Sequence, residues 1–173
     1  MKKIIFLLSF LSLQSCNSQN NTLTIEKEID ISKYAVTITS EALKEALYTY
    51  ASDEFEGRNT GEAGQKLAVN FIKNFYKSND IAKADNTEDY FQKFLVDFSG
   101  RQVVNPSDID SLENLSTAEN VNWVKTENVA AIIEGSEYPD EYIILTAHLD
   151  HVGIEDGEIY NGADDDGSGS MAL

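Results

Sequence analysis

The chain has 173 residues, 42% of them apolar, which suits one domain with a packed core and excludes a disordered chain. Its formal net charge of -17 excludes an electrostatically driven nucleic-acid partner, because such binding draws on Lys and Arg displacing counterions from phosphates. Cys16 is the one cysteine, so there is no internal disulfide, thiolate zinc cluster or CxxC pair, and any metal must be held by His and carboxylates.

Residues 1–15 read as an export signal. Lys2 and Lys3 form a positive start, and Ile4 to Leu13 is an apolar run of ten residues interrupted only by serines. That is short of the ~20 residues a membrane-spanning helix needs. The run ends Leu13-Gln14-Ser15-Cys16, which resembles a bacterial lipobox, with Gln14 where a small residue is commoner. The resemblance implies lipidation of Cys16 and a protein exported and anchored in the cell envelope, periplasmic or at the cell surface. Residues 16–39 are polar and weakly patterned and read as a tether, and 40–173 as the domain.

Within the domain, Ser40 is expected to cap a helix carrying Leu43, Ala46, Leu47 and Tyr50 on one face. Residues 53–58 read as irregular. Thr60 is expected to cap a second helix, with Ala68, Phe71, Ile72 and Phe75 facing the core. Tyr90 to Phe98 has the aromatic and β-branched content of a strand, and Gly100 to Ala118 reads as a polar excursion. Asn128 to Glu134 and Tyr142 to Ala147 are nearly continuous apolar runs, as strands buried on both faces of a sheet would be. Helices first and strands later, with a helix opening at Ser170, give α/β as the fold class.

The second apolar run leads directly into His148-Leu149-Asp150-His151, which holds both histidines of the chain. The carboxyl edge of such a strand is where α/β sheets bind ligands. In extended backbone His148 and Asp150 point to the same side, with Cα atoms ~6.5–7 Å apart, and His151 points away. Asp164, Asp165 and Asp166 follow between glycines; three adjacent carboxylates repel unless solvated or neutralised by a cation. An EF-hand reading fails, because its first and twelfth positions would be Gly162 and Leu173. A serine-hydrolase elbow fails too, since no G-x-S-x-G is present around Ser168 or Ser170.

AHLDHVG at 147–153 followed by NGADDDGSG at 161–169 resembles the M28 peptidases, the family of co-catalytic zinc aminopeptidases. SDEFEGRNTGEAGQKLAVNFI at 52–72 is similar to the segment that opens the domain in many members. The resemblance covers about residues 40–173 and implies the N-terminal part of a mixed-sheet zinc-exopeptidase (phosphorylase/hydrolase-like) fold with helices on both faces. It also implies two Zn2+ per complete domain and a peptide substrate. By that resemblance His148 is a terminal ligand of one zinc, and Asp165 bridges the two metals. Asp150 is the catalytic acidic residue that orients His148. Asp164 and Asp166 shape the turn, with a cis peptide after Asp165. The family's Glu-Glu pair, further carboxylate and last histidine have no match up to Leu173, so the chain reads as C-terminally truncated and inactive by itself. The expected activity of the whole is removal of N-terminal residues from extracytoplasmic peptides. A glutaminyl-cyclase-like acyltransferase and a non-catalytic surface lipoprotein on the same scaffold are the alternatives. The oligomeric state stays open.

Overall fold

The computed structural model describes residues 30–98, 102–104 and 123–173. Cys16, the signal segment and the first part of the tether lie outside the described residues. The chain divides into two units, Met1–Thr37 and Ile38–Leu173. In the first, one helical turn, α1 (Ser32–Ala35), starts where Asp30 Oδ1 accepts from the Ser32 backbone N–H (3.1 Å) and hydroxyl (2.5 Å).

The second unit opens with α2 (Ser40–Tyr50). Its N-cap is Thr39, whose hydroxyl accepts the Ala42 N–H at 3.1 Å; Ser40, the expected cap, is already helical. A 3-10 turn follows at Asp53–Arg58, then α3 (Ala63–Ser78). The N-cap of α3 is Glu62, so Thr60 does not cap it and is free for another partner. Tyr50, Phe55 and Ala68 are buried and form the core, with Phe71, Ile72, Leu149 and Met171 packed on it. The rings of Tyr50, Phe55 and Phe71 meet pairwise, with centroids 5.7 to 5.9 Å apart, within the range of favourable tilted and edge contacts. Phe75, expected on the same face, is largely exposed.

Seven strands follow among the described residues: β1 (Ala82–Lys83), β2 (Phe91–Asp97), β3 (Gln102–Val104), β4 (Trp123–Val129), β5 (Ala131–Ile132), β6 (Gly153–Glu155) and β7 (Glu158–Tyr160). They form three small antiparallel sheets, ordered β3-β2-β4, β1-β5 and β6-β7. The β2–β4 ladder, from Phe91↔Val129 to Asp97↔Trp123, buries Leu95. Gln65 ties α3 to it, donating to the Thr126 hydroxyl at 2.6 Å while its carbonyl accepts the Gly61 N–H at 2.9 Å. Both side chains are buried, so each satisfies the other.

The composition is α/β, and the strand at 90–98 forms as expected. The two apolar runs depart from expectation, and β3 lies in the stretch expected to be a polar excursion. Of the 128–134 run, only its start completes β4 and its middle makes β5; the ladder begins upstream, at Trp123. Tyr142 to Ala147 joins no strand at all among the described residues. Ile143 is 93% exposed, and a cavity of about 510 Å³ separates residues 144–150 from β4. An apolar run becomes a strand only when a neighbour accepts and donates its backbone hydrogen bonds, and none is described beside this one. The mixed, helix-covered sheet is therefore not seen, and the described sheets are antiparallel throughout.

The β6–β7 hairpin was not expected. Its two-residue turn, Asp156-Gly157, has φ of 51° and 83°, the left-handed pair that matches strand twist and that Asp-Gly adopts most readily.

Candidate metal centre

Three backbone segments converge here: 148–151, the π-helical turn Ala163–Gly167 leading into α4 (Ser168–Ala172), and residues 53–60. His148 and Asp165, 17 residues apart, meet with Nε2 and Oδ1 at 2.9 Å. The other ring nitrogen, Nδ1, lies 2.9 Å from the backbone carbonyl of Asp150. A carbonyl only accepts, so Nδ1 carries a proton, and Nε2 must carry a second one to donate to an ionised carboxylate. The Asp150 carbonyl, and then the Asp165 carboxylate, accordingly hold the His148 pKa above its ordinary value.

Asp150 thus contacts the imidazole chiefly through its main chain. Its carboxylate oxygen Oδ1 stands 3.8 Å from Nδ1, and Oδ2 accepts a short hydrogen bond from the Thr60 hydroxyl. His151 does not point away: its Nδ1 comes within 4.0 Å of Asp165 Oδ2. The 148–151 segment belongs to no strand, so the alternation assumed for extended backbone does not apply to it.

The three aspartates have distinct surroundings. Asp165 is 73% exposed and faces the histidines. Asp166 accepts the backbone N–H groups of His148 (3.2 Å) and Gly169 (3.1 Å), joining the histidine segment to the start of α4. Asp164 is exposed, and its backbone carbonyl accepts the Ser168 hydroxyl. The Asp165–Asp166 peptide is cis. Gly162 enters this turn with φ of 52°, and a Cβ there would meet the His151 ring at 2.5 Å. The close approach of His151 to the acidic turn therefore needs glycine.

Sequence reasoning missed Arg58, the largest fully buried side chain among the described residues. Its guanidinium donates to four carbonyls: Leu149 (3.0 Å), Tyr50 (3.0 Å), Asn161 (2.8 Å) and Gly162 (2.8 Å). It also lies 4.6 Å from the centre of the Tyr50 ring, a cation–π distance. Burial pulls its pKa down, and the nearby Tyr50 and Asp150 counter that. Tyr50 adds a hydroxyl hydrogen bond of 3.0 Å to the same Leu149 carbonyl. The available signal was scarcity: Arg58 is one of two arginines in the chain, set in a polar stretch beside a glycine.

Imidazole nitrogen and carboxylate oxygen are donors that zinc takes, and a cation held by His148 and Asp165 would displace the proton that joins them. Among the described residues, however, no group of three or more His, Cys, Asp or Glu side chains comes together that could hold a metal ion. The donor chemistry fits zinc at two positions and no further.

No curated protein and no solved structure matches the chain. Residues 128–173 match the family model described as Peptidase family M28, a stretch that runs from the end of β4 through His148, Asp150 and the acidic turn to Leu173. The part of the chain that carries the candidate centre is thus similar to a peptidase family.

Proposed function

We propose that this chain serves a zinc-dependent aminopeptidase that removes N-terminal residues from peptides outside the cytoplasm. The observation that carries the reading is the approach of His148 Nε2 to Asp165 Oδ1 inside the segment similar to the M28 peptidases. His148 and Asp165 are the residues that would hold the metal. When bound, such ions polarise the scissile carbonyl and acidify a water molecule. The residues of this chain prepare that setting. The Asp150 carbonyl holds the proton on Nδ1, which would leave Nε2 as the nitrogen offered to a metal ion. Asp166 holds the His148 main chain against the acidic turn. Asp150, its carboxylate gripped by Thr60, is the proposed acidic residue that orients His148 and tunes its basicity.

Asp165→Asn should weaken zinc binding far more than Asp164→Asn, since it is the Asp165 carboxylate that meets His148. Equal losses in equilibrium dialysis, or the reverse order, would reassign the ligand. The proposed export and envelope anchoring rest on Cys16 following the apolar run. Replacing Cys16 by Ala should release the protein from the membrane fraction; unchanged sedimentation with membranes would end that reading.

A further inference from the structure

The 3-10 turn at 53–58 and the two residues after it reach both of the other backbone segments of the candidate centre. Glu56, Gly57 and Arg58 adopt left-handed φ angles in succession, 50°, 63° and 55°. Two of the three are not glycine, and such angles persist only where the surroundings hold them. Here they direct the Arg58 side chain inward. Its Nε–H takes the Leu149 carbonyl, between His148 and Asp150, while its two terminal nitrogens take Asn161 and Gly162, immediately before the acidic turn. The Arg58 carbonyl accepts the His151 N–H at 3.2 Å. Two residues on, Thr60 grips the Asp150 carboxylate, and Asn161 donates back to Asp53 at 2.8 Å.

From this geometry we infer that Arg58 is a positioning residue. It sets the separation of the two backbone segments that present His148 and Asp165, by tying carbonyls of both to one rigid, planar group. The inference rests on the zinc reading only for what the fixed separation serves. Guanidinium suits the task because its donors lie in one plane and point in several directions, so one buried group can join carbonyls of segments more than ten residues apart. A lysine ammonium keeps the charge and loses that geometry. Arg58→Lys therefore separates position from charge.

The test is amide hydrogen exchange on the full chain, with a parallel Zn2+ titration. Charge-assisted hydrogen bonds of this kind are worth about 10- to 100-fold in a local opening equilibrium. In Arg58→Lys the amides of His151 and Gly167 should exchange faster by that factor, while the β2–β4 ladder stays within about twofold of the unmodified chain. Zn2+ affinity should fall at least about tenfold. Unchanged exchange at His151 and Gly167, or equal loosening of the ladder, overturns the inference, the second because it marks a general structural role. Faster exchange at the two amides in a chain that binds no Zn2+ even unmodified upholds Arg58 as the positioning group and removes the zinc reading. Should Arg58→Lys not fold, the Arg58 Nε–H of the unmodified chain decides. Protection of that proton by about 100-fold or more supports the four-carbonyl grip, and free exchange refutes it.

Discussion

Two stretches of the second unit contrast sharply. Residues 53–60 are polar, irregular and crowded with charges, yet Phe55, Gly57 and Arg58 within them are buried. Residues 142–147 are almost wholly apolar, yet Ile143, Ile144 and Leu145 are 93%, 80% and 71% exposed. Hydrophobicity orders the two one way and burial the other. The difference lies in partners. Arg58 finds a carbonyl for four of its donors and an aromatic face, which offsets the cost of taking a cation from water. The apolar run has no described neighbour to complete its backbone hydrogen bonds, so its pattern has nothing to act on.

The comparison breaks most readily at Gly57. A Cβ there would lie 2.5 Å from the Tyr160 carbonyl oxygen and 2.6 Å from that of Gly153, with φ at +63°. Both contacts are with backbone, which cannot swing aside. Gly57→Ala should cost about 3 kcal/mol through overpacking and backbone strain, measured as a lower urea midpoint. A loss under ~1 kcal/mol would mean that 53–60 is not held against the hairpin as described.

A smaller effect is expected at Tyr50. Tyr50→Phe removes one hydrogen bond from the Leu149 carbonyl, which keeps Arg58, for about 1 kcal/mol. Burial also pushes the Tyr50 phenol up to about 12 from 10.0. Since the folded value is the higher one, its stabilising share is complete below pH 10. It is lost as the pH rises toward and through 12, where the unfolded chain gives up its proton first. Burial raises Tyr76 as well, so ultraviolet titration should show a late tyrosine fraction that shrinks in Tyr50→Phe; an unchanged titration curve would place Tyr50 in water.

The smallest effect belongs to the apolar run. Ile143→Ala should change stability by less than about 0.5 kcal/mol, because the side chain is exposed already. A loss of 2 kcal/mol or more, about the cost of truncating a core residue, would show that the run is packed in solution and would erase the contrast with 53–60.

The sequence alone determined what depends on nearest neighbours and on residue chemistry. Helical periodicity marked α2 and α3, β-branched and aromatic content marked β2, and the order of His148, Asp150 and the aspartates marked the segment similar to a peptidase family. The β6–β7 hairpin is equally legible, since Asp156-Gly157 is a strong turn signal between Ile154 and Ile159. The caps lie one residue before Ser40, at Thr39, and two after Thr60, at Glu62, because which residue precedes the first helical turn depends on the angle at which the chain enters the helix. Only the tertiary structure decided the rest. It brought His151 toward Asp165, gave Thr60 to Asp150 instead of to α3, and made Arg58 the buried junction of three segments. A carbonyl looks the same at every position in a sequence, so a side chain that binds only carbonyls leaves no pattern there. Its role exists only once Tyr50, Leu149, Asn161 and Gly162 have been folded around it.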